Sequence, residues 1–417
     1  MSEIDRREFL VNAVGAAGAF AALSMVPDVL PAAPRVSGAP LNVGVIGIGR
    51  QGRAILGELA KIDAVRVTAI CDSDSSRLEA GLRRAAGTEG FDDHRKLLEK
   101  NDIGAVVIAT PTHQHKQIAI DAVQAGKHVY LEAPIAHTAE DCREIARAAR
   151  GAKGVFAVGL EGRSNPVYKL ARSFFRSDAV RDLISMRAQH HQKSSWRVPV
   201  SDPSREKAMN WKLDKEVSIG LAGELGTHQF DVVHWYVGQY PTRVRGSGSI
   251  RFHQDGREVA DTVACDLAFG EGGGGAHLQY MATLANSFEG RHEVFHGSNA
   301  SIKLAWSHGW MFKEADAPTQ GWEVYANRQQ FHNDEGITLI AEATKLASQG
   351  KLKEGVGLPH PSLYYALADF VRSITEGAPV VAGAEEGMRA TLVGLAAQQA
   401  VLTGQTVEIT QEMLGAG

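Results

Sequence analysis

The stretch Leu41 to Asp72, LNVGVIGIGRQGRAILGELAKIDAVRVTAICD, restricts the fold of this chain more than any other. Val43 to Ile48 is an apolar, β-branched run of the length expected of a buried parallel strand. Gly47-Ile48-Gly49-Arg50-Gln51-Gly52 follows at once, and then a helical pattern of Ala54, Ile55, Leu56, Leu59 and Ala60. A second apolar run, Val65 to Cys71, ends on Asp72, twenty residues beyond Gly52. Gly47 permits a tight turn, Gly49 lets backbone approach a pyrophosphate, and Gly52 lets helix and strand pack closely. The helix N-terminus offers free N–H groups and the positive end of its dipole to phosphates. Asp72 is placed to accept hydrogen bonds from a ribose 2′-OH, which favours NAD over its 2′-phosphorylated form. A lone glycine fingerprint is weak, but strand, glycines, helix, second strand and acid in register predict a dinucleotide site.

The α/β alternation continues after this unit. The strand Ala105 to Ala109 ends in Thr110-Pro111-Thr112-His113-Gln114-His115, and helix Gln117 to Ala125 stops at Gly126, a fitting C′ residue. Strand His128 to Leu131 ends in Glu132-Ala133-Pro134, and Thr138-Ala-Glu-Asp opens a further helix with a near capping-box pattern. Strand Val155 to Gly159 leads into Arg163-Ser-Asn-Pro166. These elements predict an α/β Rossmann domain, a doubly wound parallel sheet whose ligands sit beyond the carboxyl ends of the strands.

After Pro166 the pattern changes. Helix Val167 to Ser177, strand Leu183 to His191, a polar loop to about Gly220 and helix Glu224 to Val237 precede several β-like runs between Thr242 and Trp306. Glu271 to Gly275 (EGGGG) reads as a hairpin turn, and helices Ser362 to Glu376 and Glu385 to Leu402 lead to a last short strand, Val407 to Ile409. The expectation is an α+β C-terminal domain on an open, mainly antiparallel sheet. The boundaries fall at 1–38 for a leader and linker, 39–163 for the Rossmann domain and 164–417 for the second domain.

The leader is different in kind. Adjacent Arg6 and Arg7, followed by Phe9-Leu10 and the Ala/Gly-rich segment Val11 to Val26, read as a twin-arginine export signal, placing the folded protein in the periplasm or outside the cell. The export machinery is then a partner. A net charge of −4 gives no electrostatic case for nucleic acid or an anionic membrane surface. Beyond the leader no run reaches the roughly 18 apolar residues of a membrane span, so stable membrane insertion is not expected. Cys71, Cys142 and Cys265 are too few and too scattered for a disulfide framework or metal ligation, and read as buried thiols.

Taken together, Gly47-x-Gly49-x-x-Gly52, Thr110-Pro111 with His115, Glu132-x-Pro134, Arg163-x-x-Pro166 and Glu224-Leu-Gly-Thr-His228-x-x-Asp231 resemble the glucose–fructose oxidoreductase/inositol dehydrogenase/MocA family over about Leu41 to Ile409. The resemblance implies hydride transfer between NAD and a sugar or polyol, with NADP less favoured. It implies an acid and a histidine four residues apart in the second domain, here Glu224 and His228. It also implies a homodimer or homotetramer. The family's Glu-Lys-Pro lysine, which touches nicotinamide ribose and substrate, is replaced by Ala133.

That replacement leaves three accounts of the proton acceptor. His228 oriented by Glu224 is one, a cation entering from elsewhere is another, with Lys193 just past a strand end the candidate, and loss or change of the reaction is the third. The changed reaction includes redox-assisted glycoside cleavage, in which a held NAD oxidises a sugar hydroxyl, the glycosidic bond is eliminated, and the ketone is reduced again. A non-catalytic NAD- or sugar-binding protein also fits Ala133. The resemblance places Thr110, Pro111, His115, Glu132 and Pro134 at the cofactor, with a cis peptide expected before Pro134. Arg163, His191, Trp196 and Asp231 are candidate substrate contacts, with Trp196 read equally well as a loop anchor and Asp231 as orienting His228. His190, His191, His228 and Glu224 match no fixed metal-ligand spacing, so no metal is expected.

Overall fold

The computed structural model describes Pro34 and residues 38–200, 202–270, 274–319, 328–331, 334–340 and 357–415. The arginine pair and the rest of the expected leader, apart from Pro34 and Gly38, lie outside them, as do residues 271–273 of the EGGGG turn. The described chain forms two compact units. The larger holds Ala32–Asn165, Met186–His292 and His360–Gly417, and the smaller holds Pro166–Ser185 and Glu293–Pro359.

In the larger unit, β1 (Leu41–Ile46), β2 (Val65–Cys71), β3 (Glu89–Phe91), β4 (Ala105–Ile108), β5 (His128–Leu131) and β6 (Phe156–Val158) form a parallel sheet in the order β3-β2-β1-β4-β5-β6. This is the doubly wound order, with its switch point between β1 and β4. The central strands are apolar throughout because helices cover both faces: Val43, Val45, Ala105 to Ile108 and Val129 to Leu131 are buried. The intervening helices are α1 (Arg50–Leu59), α2 (Ser75–Arg84), α3 (His94–Leu98), α4 (His115–Gln124) and α5 (Ala139–Arg150). Thr138 caps α5 by accepting from the Asp141 N–H at 3.1 Å, and Gly126 (φ +72°) ends the turn after α4. The edge strand β3 has no counterpart in the sequence reading, since it is three residues long, Glu89 and Gly90 are exposed, and it carries no apolar period.

The same unit carries a second sheet. The part of β7 (Leu183–His191) from Met186 onward pairs parallel with β10 (His277–Thr283). Antiparallel pairings then run from β10 to β9 (Thr262–Ala268), to β8 (Arg243–Ser249) and to β16 (Val407–Glu408). Helix α11 (Ala384–Thr403) lies on β8, and a Cβ at Gly246 or Gly248 would meet Val401 at 2.9 or 2.6 Å. Helix α10 (Ser362–Thr375) packs Leu367, Phe370 and Val371 into the Rossmann core.

Two expectations need correction. The polar loop before Gly220 is built of short turns: a 3-10 turn at Pro203–Arg205, α7 (Glu206–Met209) and a 3-10 turn at Trp211–Leu213. Segments this short hold no hydrophobic period to read; side chains fix them instead. Asn210 accepts from Val198 N at 2.7 Å and donates to Val198 O at 3.0 Å, while Arg205 pairs with Asp74, the N-cap of α2. Second, the helix expected from Glu224 to Val237 is two helices, α8 (Gly220–Glu224) and α9 (Gly226–Val237), broken at Leu225. Gly226 lies where a Cβ would meet the Phe230 and Tyr280 rings at 2.7 and 3.3 Å. Glu224 and His228 therefore belong to different helices.

In the smaller unit α6 (Pro166–Arg176) accompanies antiparallel strands paired in the order β11 (Arg291–Gly297, from Glu293), β12 (Ala300–Leu304), β13 (Gly309–Lys313), β15 (Asp334–Thr338) and β14 (Arg328–Phe331). Tyr168 in α6 donates to Glu293 at 2.5 Å within its core.

Candidate active site

The glycine turn after β1 has the geometry its residues require. Gly47 has φ +92°, and a Cβ there would lie 2.6 Å from Ala109 O, while one at Gly52 would lie 1.8 Å from Gly47 O. Gly49 caps α1 without a side-chain hydrogen bond, and beside a Cβ built there only Arg77 Nη1 comes within 4 Å, at 3.9 Å. The first turn of α1, with Arg50 exposed and Gln51 half-buried, carries no acid, so its N–H groups and dipole face an open approach. Ile48 is fully buried beneath the turn. Asp72 accepts from Ile48 N at 2.7 Å and Asp74 N at 2.9 Å, holding its carboxylate against the turn with lone pairs left for a ribose hydroxyl.

Past β4 and β5 the chain builds the other side. His115 is buried with Nδ1 3.0 Å from Pro134 O and Nε2 2.9 Å from Thr110 O, clamping the two strand-end loops together. Burial lowers its pKa to about 4, so the ring is neutral and its single N–H donates to one of these two carbonyls. The Ala133–Pro134 bond is cis. Glu132 is buried and its pKa is pushed up to about 8, first by desolvation and then by the neighbouring Glu161 carboxyl, with Gln51 and Lys212 opposing. Thr110 Oγ1, Glu132 Oε1, His190 Nδ1, His191 Nε2 and His228 Nδ1 are buried and have no hydrogen-bond partner among the described residues. Each such atom costs about 1–3 kcal/mol until a ligand satisfies it. An open glycine cradle, a poised Asp72 and orphaned polar atoms at the strand ends fit a dinucleotide.

The second sheet and its helices bring the remaining groups. Glu224 is buried, accepts from Thr112 Oγ1 at 3.2 Å, and has Lys212 Nζ 3.7 Å from its Oε2. Desolvation raises its pKa, with Lys212 and Thr112 opposing. No hydrogen bond joins Glu224 to His228 among the described residues, so Glu224 is oriented by Thr112 and Lys212 rather than orienting the histidine. His228 is held neutral: burial first, then the charges of Arg291 and Lys212, lower its pKa to about 3, against a hydrogen bond to the Ala133 backbone. Its Nδ1 is thus the nitrogen left free. His190 falls to about 2, first by burial and then by the charges of Arg291, His228, His191 and Lys212.

The other expected residues meet groups of the protein itself. Arg163 and Asp231 pair with each other, Nε to Oδ2 at 2.9 Å and Nη2 to Oδ1 at 2.7 Å, both buried. Lys193 Nζ lies 5.4 Å from the Phe252 ring centroid, whereas the ammonium acting on Glu132, His190, Glu224 and His228 is Lys212, which the sequence reading missed. Nothing in its spacing singles out Lys212; the loop folding delivers it. Trp196 presents its ring to Lys212 Nζ at 4.8 Å, and His191 lies at the end of β7 with Nδ1 3.2 Å from Phe288 O. No group of three or more potential metal-binding side chains occurs among the described residues.

Residues 41–160 match a family model described as an oxidoreductase family with an NAD-binding Rossmann fold, and residues 193–409 match that family's C-terminal alpha/beta domain. This chain belongs to the Gfo/Idh/MocA oxidoreductase family. Residues 41–160 are an NAD-binding Rossmann domain. Among characterised Gfo/Idh/MocA relatives, levoglucosan dehydrogenase of Pseudarthrobacter phenanthrenivorans is 30% identical over 209 residues, 48% of this chain and 52% of that protein. Glycosyl hydrolase family 109 protein 2 of Shewanella sp. strain ANA-3 is 32% identical over 167 residues, 35% of this chain and 37% of that protein. The chain thus matches about half the length of the former and little more than a third of the latter. A levoglucosan dehydrogenase structure in complex with NADH and levoglucosan superposes with a TM-score of 0.70 at 24% identity, covering 89% of this chain and 100% of that one, which establishes the shared fold.

Proposed function

We propose that this protein is an oxidoreductase that holds NAD tightly and moves hydride between it and a ring hydroxyl of a sugar or polyol. The supporting observation is the neutral His228, with Nδ1 free, hydrogen-bonded to the Ala133 backbone next to Glu132 and set in the field of Arg291 and Lys212. Bound NAD⁺ supplies the hydride acceptor. With NAD⁺ bound, a hydride (one proton with two electrons) would leave the carbinol carbon for it, His228 Nδ1 would take the hydroxyl proton, and the ketone would remain. The cations that weaken His228 as a base also stabilise the negative charge that forms on the alcohol oxygen as its proton leaves. Glu224, its pKa raised and its position fixed by Thr112, takes part in proton transfer beside it. The Asp72 carboxylate disfavours a 2′-phosphate and so selects NAD over NADP.

The test is a cofactor assay on purified protein. Bound NAD should be reduced on adding levoglucosan, glucose or myo-inositol, read at 340 nm. His228→Ala should lower that rate roughly 10²–10⁴-fold while mass spectrometry of released ligand still finds NAD. Unchanged turnover would remove His228 from the mechanism.

A second reading, redox-neutral glycoside cleavage, is favoured by the similarity to the glycosyl hydrolase and by Ala133. Nitrophenol released catalytically from p-nitrophenyl glycosides without added NAD decides for it, and a flat 340 nm trace with every sugar decides for a binding protein instead. The Arg6-Arg7 leader supports export of the folded protein to the periplasm, which a leader–reporter fusion tests. A homodimer or homotetramer is the accompanying expectation, to be measured by light scattering.

A further inference from the structure

We infer that Lys212 is the catalytic cation of this site, binding the reacting hydroxyl oxygen of the substrate; the inference rests on the oxidoreductase reading above. Lys212 occupies the 3-10 turn Trp211–Leu213, in the loop that Arg205 fastens to Asp74 at the end of β2. Its Nζ lies 4.8 Å from the Trp196 ring centroid, 5.3 Å from that of Trp211 and 3.7 Å from Glu224 Oε2. Two indoles and one carboxylate hold the ammonium without enclosing it, since a third of its side chain remains open to solvent.

The two tryptophans are themselves fixed. Trp196 has φ +63°, a left-handed backbone that a bulky side chain adopts only when its surroundings impose it. Trp211 packs edge-on against His113, 5.6 Å between centroids, in the loop following β4. The cage therefore sits over the carboxyl ends of the Rossmann strands, where a nicotinamide and its substrate meet. An ammonium there offers hydrogen bonds and positive charge to an oxygen that becomes negative as its proton leaves for His228, and no proton need leave Lys212 itself. The indole faces beside it match the C–H faces of a sugar ring. Ala133, whose backbone hydrogen-bonds to His228, is the position at which the family resemblance implies a lysine.

The experiment uses full-length protein with NAD bound and the panel of levoglucosan, glucose and myo-inositol. Lys212→Met should lower kcat/KM roughly 10²–10³-fold, leave the dissociation constant for NADH within about twofold by fluorescence, and move the rising limb of the pH–rate profile upward by about one unit. Lys212→Arg should keep the wild-type limb. Adding Ala133→Lys to Lys212→Met should recover at least about tenfold of the loss. Activity within about threefold of wild type in Lys212→Met, or a loss with an unmoved pH limb and no recovery by Ala133→Lys, overturns the assignment while leaving the oxidoreductase reading intact. Wild-type protein that binds NAD yet reduces it with no sugar overturns both.

Discussion

At the scale of single residues, the site is governed by carboxyls and imidazoles displaced from their ordinary protonation. Glu132 is the clearest case, its pKa raised to about 8 by burial and the facing Glu161. A folded-state pKa above the unfolded value means that the folded protein binds the extra proton. Stability from this group is complete below about pH 4.5 and is lost as pH rises through about 8. Glu132→Gln in cofactor-free protein should therefore flatten the fall in melting temperature between these limits and leave it little changed at the acid end, as read by calorimetry across pH. A Glu132→Gln profile parallel to wild type would mean that the carboxyl is ionised throughout. Much at this scale was legible beforehand: the tight turn at Gly47, the close approach at Gly52 and the acid Asp72 against that turn follow from motif and spacing, whereas Glu224 and His228 keep the expected residues but not the expected contact. Lys212 and Glu161 were not, because each owes its position to neighbours distant in sequence. Nor did the sequence tell that Arg163 and Asp231 face one another, since two polar residues in family-like motifs read the same whether they meet a ligand or each other.

At the scale of elements, strands buried on both faces announced themselves as apolar runs, and capped helices by Thr138 and Gly126. The break at Leu225 did not, because Glu224 and His228 keep the four-residue spacing of one continuous helix while the backbone around Gly226 accommodates two aromatic rings. What then holds α9 in place beneath the site is the Arg163–Asp231 pair, joining it to the 3-10 turn Glu161–Arg163 after β6. Asp231→Ala strands a buried guanidinium and should cost about 3–5 kcal/mol by denaturant melts. The double change Arg163→Met with Asp231→Leu should recover most of it, and a double variant no better than the single would show that the charges do more than pair.

At the scale of the molecule, the three cysteines lie in separate elements of the larger unit, β2, α5 and β9, and none is bonded to another. Burial holds the Cys71 and Cys265 thiols up at about 12 and raises Cys142 as well, so in the closed protein all three resist alkylation. Each reacts only when its own surroundings open. Cys71 immediately precedes Asp72, beside the glycine turn, so a seated dinucleotide should slow its modification by a thiol reagent at least about tenfold relative to Cys265. Peptide mapping after timed labelling reads this directly, and equal protection at the two sites would mean that opening is global. The chain thereby carries a built-in reporter of occupancy: the rate at which one sulfur yields to a reagent tells whether the nucleotide cleft is filled, with no substrate in hand and no light absorbed.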